Sequence, residues 1–330
     1  MSLKRVNEDK WVVITGGAGF IGSAMVRYLN DIGLFNLVLI DNLGKGEKWK
    51  NLVGKRFSEV VPIGETFTWL HDKHEDIQAF IHLGACSDTT ERDADYLLEN
   101  NYRFSVRLAE YALKYDHRFI YASSAATYGD GSQGFSDDHA SIEALEPLNM
   151  YGYSKQLFDL WALRQGYLNQ IVGLKFFNVF GPNEWHKGRM ASAIVRMVAQ
   201  VQSEGRICLF KSAHPDYADG EQKRDFLYVK DAARMVHSFL RSDIGGIFNI
   251  GSGIASSWNE LARAVFHALG LPVQIDYIDM PSDLLGKYQY YTRAEMAKHA
   301  RYRELNSRTM PLDAAVADYV NNHLIPNKTW

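Results

Sequence analysis

The sequence predicts an α/β fold: a doubly wound parallel sheet, followed by a smaller, mixed α/β C-terminal domain. Three observations carry that expectation. Short apolar runs alternate with longer helical patterns through the first half. A glycine-rich stretch, Gly16-Gly17-Ala18-Gly19-Phe20-Ile21-Gly22, joins the first run to the first helical pattern, and an acidic residue, Asp41, closes the second run. Strands that alternate with helices pair in parallel, with helices covering both faces of the sheet.

In chain order, Trp11-Val12-Val13-Ile14-Thr15 reads as a buried strand, and Ile21, Met25 and Leu29 recur at helical spacing to mark an inward face. Leu37-Val38-Leu39-Ile40 is the second strand, and residues 80–83, 119–121 and 171–177 continue the series. Helices are expected over residues 102–115 and 154–165. After Asn178, prolines and glycines thicken, and the polar stretch 212–222 reads as a surface loop. Residues 226–229 and 247–250 are further strand candidates, expected to return to the main sheet. The resulting division is a dinucleotide-binding domain at 1–177, with returning segments near 222–250, and a mainly substrate-binding domain at 178–330. No internal repeat or low-complexity tract interrupts it.

Composition narrows the function classes. The 330 residues are 46% hydrophobic and 23% charged, with a formal net charge of -3, which fits a globular chain with a real core. There is no overall basic footprint for nucleic acid. No run reaches the ~18 apolar residues of a membrane span. The first residues, Met1-Ser2-Leu3-Lys4-Arg5, run into charged Glu8-Asp9-Lys10 rather than an apolar signal core, so a cytoplasmic protein is expected. Two cysteines, Cys86 and Cys208, make no disulfide framework; each sits in an apolar stretch and reads as a reduced core thiol. No metal site is expected, because His71 and His74 stand amid Asp72, Lys73 and Glu75 and look like a solvated face.

The glycine stretch carries the first chemistry. Gly17, Gly19 and Gly22 fit G-x-G-x-x-G, and Gly16, Gly19 and Gly22 equally fit G-x-x-G-x-x-G. Glycine lets the backbone turn tightly against a pyrophosphate, which then meets the positive end of the helix dipole. Asp41 stands about 20 residues on, where a carboxylate accepts from an adenosine ribose. Asp41 favours the free 2′-hydroxyl of NAD, while Lys45 and Lys48 suit a 2′-phosphate or else form a solvated loop face.

Tyr151 and Lys155 are four apart at a helix start, which puts both on one face. An ordinary tyrosine, with a pKa near 10, is a poor base at neutral pH; a neighbouring ammonium favours the tyrosinate. Ser123-Ser124 end the strand at 119–121, and ligands of a doubly wound sheet bind at the carboxyl ends of its strands.

The glycine stretch together with Ser124, Tyr151 and Lys155 resembles the extended short-chain dehydrogenase/reductase superfamily of Rossmann-fold enzymes, which process nucleotide sugars. Within it, four strings are similar to the ADP-L-glycero-D-manno-heptose 6-epimerase family, over essentially the whole chain. They are Leu83-Gly84-Ala85-Cys86-Ser87-Asp88-Thr89-Thr90-Glu91, Tyr121-Ala122-Ser123-Ser124-Ala125-Ala126-Thr127-Tyr128-Gly129, Asn149-Met150-Tyr151-Gly152-Tyr153-Ser154-Lys155 and His186-Lys187-Gly188.

The resemblance implies an isomerase of the lipopolysaccharide heptose precursor. Bound NADP, with NAD the alternative, would oxidise carbon 6 of ADP-D-glycero-D-manno-heptose to a transient ketone and reduce it again on the other face, with no net redox. Catalytic roles fall on Tyr151 and Lys187 as two acid/base groups, Lys155 as the ribose-holding lysine that lowers the tyrosine pKa, and Ser124 as a hydrogen-bond partner of the reacting oxygen. Taken alone, Lys187 in the polar stretch 184–189 also reads as a solvated loop lysine, and Ser124 as a structural serine. Cofactor contacts fall on Gly16, Gly19, Phe20, Ile21, Gly22, Asp41, Asn42, Lys48, Leu83, Gly84, Ala85, Cys86, Ser87, Asn100, Lys155, Val179 and Lys187. Substrate contacts fall on Asn178, Arg189, Arg196, Phe210, Arg224 and Tyr288, and a guanidinium such as Arg224 suits the ADP phosphates. The family pattern is departed from at Arg189, Arg196 and the longer 211–222 segment. A homo-oligomer, a pentamer by the resemblance, is expected. The nearest alternatives are other nucleotide-sugar enzymes of the superfamily, above all a UDP-sugar 4-epimerase; Ala125-Ala126 after Ser124 leaves no acid for a dehydratase.

Overall fold

The apolar runs line up side by side in the computed structural model, which describes residues 6–282 and 288–330. β1 (Trp11–Thr15), β2 (Leu37–Ile40), β3 (Glu59–Val61), β4 (Ile77–His82), β5 (Arg118–Ser124), β6 (Ile171–Phe176) and β10 (Gly246–Ile250) form a seven-stranded sheet. Its order is β10-β6-β5-β4-β1-β2-β3, and every pairing is parallel. All of β2, β6 and β10 is buried, as parallel strands covered on both faces must be.

Two apolar layers cover the sheet. On one face, Met25, Val26 and Leu29 of the helix Phe20–Asp31 pack with Met235, Val236 and Phe239 of the helix Val229–Leu240. On the other, Leu108, Ala109 and Ala112 of the helix Phe104–Lys114 join Phe158 and Ala162 of the helix Met150–Arg164. A third cluster is built mainly by the second half of the chain, with Phe20 and Ala24 of the helix Phe20–Asp31 packed into it. There the helices Ala193–Glu204, Trp258–Leu269 and Leu312–Tyr319 meet around Met197, Val265 and Val316.

The structure departs from the sequence expectations at several elements. The run at 171–177 does not continue straight: β6 ends at Phe176, and the chain turns out of the sheet into β7 (Asn178–Phe180). That exposes a new edge, so 226–229 does not return to the main sheet. Instead β9 (Lys223–Tyr228) pairs with β7 and with β11 (Ala255–Ser257) in a separate three-stranded sheet. The segment at 247–250 does return, as β10. β8 (Ile207–Phe210) and β12 (Ile275–Ile278) form a two-stranded sheet. The helix expected at 154–165 begins earlier, at Met150, because the Asn149 side chain accepts from Gly152 N at 2.9 Å and caps it. The helix at 102–115 is entered through a π-helical turn, Leu98–Arg103.

One buried polar relay ties β1 to β4 where the strand order reverses. Ser105 Oγ donates its proton to Asn101 O at 2.6 Å, so it accepts from His82 Nε2 at 2.7 Å. His82 Nδ1 then accepts from Thr15 Oγ1 at 2.6 Å, and that hydroxyl accepts from Gly84 N at 3.0 Å. Burial, aided by the Lys155 charge, pulls His82 down to about 3 and keeps the ring neutral. An unfolded histidine takes a proton near pH 6.5 that this one refuses, so its contribution to stability is lost as pH falls below 6.5. The slope is about 1.4 kcal/mol per pH unit. Urea unfolding of His82→Gln between pH 6.5 and 5 should show a pH dependence shallower than wild type by about that amount. Equal slopes would place the proton uptake elsewhere.

Candidate active site

A cavity of about 720 Å³ opens where β1, β2, β4, β5 and β6 end, lined by Thr15, Asp41, Leu83, Ser124 and Phe176 among others. This is the crevice a doubly wound sheet leaves where its strand order reverses. The glycine loop forms one wall. Gly16 has φ +67°, and a Cβ there would sit 2.7 Å from Gly84 Cα; a Cβ on Gly22 would sit 2.0 Å from Gly16 O. No other residue fits either place. The helix Phe20–Asp31 starts at Gly19 with no side-chain cap, so its first N–H groups remain to face an anion.

At the far end, buried Asp41 is already engaged. Its Oδ2 accepts from Ala18 N at 2.9 Å, and its Oδ1 accepts from Asn42 N at 2.8 Å and Lys48 Nζ at 2.7 Å. Lys48 therefore neutralises the carboxylate while its own side chain stays 25% exposed at the rim. Lys45 does not line the cavity. His186 does, and Asn51 Nδ2 lies 3.0 Å from Ala18 O, 3.1 Å from Asn183 O and 3.2 Å from His186 Nδ1.

The other end holds the four residues assigned to catalysis. Ser124, Tyr151, Lys155 and Lys187 all line the same cavity. Burial pushes the Tyr151 phenol up, and a hydrogen bond with Ser124 opposes it. Lys155 is buried, donates to Ala122 O at 2.8 Å, and is brought down to about 8 by burial, against the pull of Asp159. Its ammonium is thus turned onto the strand at Ala122. Lys187 is half-buried with its ammonium 5.7 Å from the Phe20 ring centre, so it is no solvated loop lysine. Burial lowers its pKa and Glu184 opposes.

The remaining assignments divide. Gly16, Gly19, Phe20, Ile21, Gly22, Asp41, Asn42, Lys48, Leu83, Gly84, Ala85, Cys86, Ser87, Asn100 and Val179 all line the cavity. Cys86 is not the core thiol expected: the chain leaves β4 at His82, which puts this free cysteine half-exposed on the wall, hydrogen-bonded with Tyr96. Cys208, also free, lies on the half-covered face of β8. Of the substrate set, Asn178 lines the cavity and the other five do not. Arg224 is buried, its guanidinium 5.2 Å from the Tyr288 ring and 5.8 Å from that of Trp258. Arg189 reaches across to Asp88 at 3.1 Å and Thr90 at 2.6 Å, bridging two loops at the surface. Arg196 is exposed on the helix Ala193–Glu204, and Phe210 is half-buried at the end of β8. Thr89, Tyr96, Phe104 and His186 also line the cavity without having been assigned to it; Thr89 and His186 lie within the family strings, whereas nothing local marks Tyr96 or Phe104 as facing a ligand.

The chain is 54% identical over 316 residues to the ADP-L-glycero-D-manno-heptose-6-epimerase of Nitratidesulfovibrio vulgaris (strain DP4), covering 94% of this chain and 97% of that one. It is 42% identical over 334 residues to the enzyme of the same name from Fusobacterium nucleatum, covering 97% and 99%. Among solved structures, it is similar to the Helicobacter pylori ADP-L-glycero-D-manno-heptose-6-epimerase, with a TM-score of 0.79, 26% identity and 96% of each chain covered. The fold is shared with UDP-N-acetylglucosamine 4-epimerase from Methanobrevibacter ruminantium, at TM-score 0.76 and 24% identity, covering 94% of this chain and 97% of that one. With residues 12–251 matching its pattern and its cavity at the crevice of the parallel sheet, the chain belongs to the NAD dependent epimerase/dehydratase family.

Proposed function

We propose that this protein inverts carbon 6 of ADP-D-glycero-D-manno-heptose to give ADP-L-glycero-D-manno-heptose, using a nicotinamide dinucleotide, NADP, that ends each turnover as it began. The observation that carries the reading is that Tyr151 and Lys187, from opposite halves of the chain, line one cavity. The near full-length relatives with that activity in their names support the substrate.

The cavity fits the dinucleotide. Gly16 and Gly22 leave the cradle a pyrophosphate needs, and the uncapped helix start supplies N–H donors. When bound, the dinucleotide accepts hydride from carbon 6 and returns it. The protein's part is to hold the sugar and move one proton. With the hydride partner fixed on one side, inversion requires the carbonyl to turn over, so its oxygen meets a different proton partner in each orientation. Tyr151, assisted by Ser124, and Lys187 are those partners. Burial raises the phenol and lowers the ammonium, so Tyr151 holds its proton more firmly, and Lys187 releases its proton more readily, than either does in water. For the 2′-phosphate of NADP the support is Lys48: with Asp41 neutralised, the ribose pocket does not repel an anion. Buried Arg224 beside Tyr288 suits the ADP diphosphate from outside the cavity described.

No helix among the described residues is long and apolar enough to cross a membrane, in keeping with a cytoplasmic enzyme. The family likeness supports a homo-oligomer, and the third apolar cluster supports a second, substrate-binding unit after residue 177.

Purified protein given ADP-D-glycero-D-manno-heptose without added reductant should invert carbon 6, followed by NMR. Inversion of a UDP-hexose instead would overturn the substrate. Tyr151→Phe and Lys187→Met should each lower kcat by about 100-fold or more while retaining the dinucleotide. Near-normal turnover would remove that residue from the proton path. Lys48→Met should weaken NADP binding by roughly tenfold and leave NAD binding unchanged, measured by calorimetry. Equal loss for both would show that Lys48 does not read the 2′ position.

A further inference from the structure

Behind Tyr151 and Lys155 lies a cluster that the proton path does not use. Asp159 follows Lys155 by one helical turn and Tyr151 by two, so the three share a face of the helix Met150–Arg164. Asp159 is fully buried. Its carboxylate accepts from Tyr121 Oη at 2.9 Å, Ser123 Oγ at 2.7 Å and Lys175 Nζ at 2.8 Å. Lys175 in turn donates to Thr127 Oγ1 at 2.5 Å and sits 5.0 Å from the Tyr128 ring centre.

The sheet is shaped for this cluster. Gly173 stands opposite Tyr121 in the β5–β6 ladder, and a Cβ on it would fall 2.4 Å from the Tyr121 hydroxyl. Tyr121 and Ser123 alternate along β5 with Ala122 and Ser124. Ala122 is the carbonyl that receives Lys155, and Ser124 is the partner of Tyr151. One carboxylate thus fastens the helix bearing the reactive pair to the strand bearing their partners. Stability is a poor reason for it, since a buried ion pair is commonly matched or bettered by apolar residues of equal volume.

We propose that Asp159, paired with Lys175, is a positioning residue for the reaction: it holds Lys155 against β5 and supplies the negative charge that its ammonium faces on the helix. The inference rests on the reading of Lys155 as the lysine that holds the cofactor ribose. Burial lowers the Lys155 pKa, and Asp159 opposes that shift. The other groups facing the cluster are neutral His82 from β4, Tyr121 from β5, Lys175 from β6, and Tyr128 and His139 from the segment after β5.

The test is the pH dependence of NADP affinity of the full chain, read beside its melting temperature. In wild type, affinity should fall as pH rises through about 8, where Lys155 loses its proton. Asp159→Asn strands Lys175 in the core, so the deciding variant is Asp159→Asn with Lys175→Met, which removes the two charges together. In it the fall should begin about one pH unit lower, giving roughly fivefold weaker binding at pH 8 than wild type. A double variant whose profile superimposes on wild type while its melting temperature drops would overturn the proposal and leave Asp159 purely structural. A wild-type profile flat through pH 8 would overturn the reading of Lys155 itself, and this inference with it.

Discussion

Two loops touch backbone to backbone at the carboxyl end of the sheet, and the rest of the site is arranged around that contact. Gly16 leaves β1 and Gly84 follows β4, so close that a Cβ on either would lie within 3.0 Å of the other's main chain. Such an approach is available only without side chains. It lets a single histidine, His82, reach both strands at once, and through Thr15 it secures the Gly84 amide. The glycine-loop wall and the opposite wall of the cavity, which follows β4, are therefore set by one contact. Asn101 extends the arrangement: it bonds both N–H and C=O of Cys86 and reaches Ser154 on the helix that carries Tyr151.

Much of this was legible in the residues. The strand–glycine–helix order, Asp41 after β2, and the Tyr151–Lys155 spacing depend on neighbours in sequence, and all proved to lie on one cavity. Elements defined by distant partners were less legible. β9 has an apolar run suited to the main sheet, yet it pairs with β7, an edge created only because the chain turns at Phe177. The state of Lys155 was likewise hidden, because its ammonium is turned to Ala122 by packing rather than by spacing. Tyr96 and Phe104 reach the cavity from helices whose own sequence does not show which side chains face a ligand.

The formal charge of -3 says little about this interior. Inside the site, charge is handled locally: Asp41 is matched by Lys48 and Asp159 by Lys175, while Lys155 and Lys187 are left partly desolvated. Arg224 is buried against two aromatic rings. Lys155 and Lys187 thus bring positive charge to the cavity wall, an arrangement suited to ligands that carry phosphates.

Asn51 has a bearing on how the molecule assembles. Its side chain joins the glycine loop at Ala18 to Asn183 and His186, residues more than 130 positions away. Contacts of such sequence separation form late in folding, because loop closure must come first. The contact between Gly16 and Gly84 closes a shorter stretch of chain and can form earlier; the segment carrying Lys187 finds its place only once the second half has docked. During synthesis, then, the glycine-loop wall can be in place before the segment that completes the cavity with Lys187.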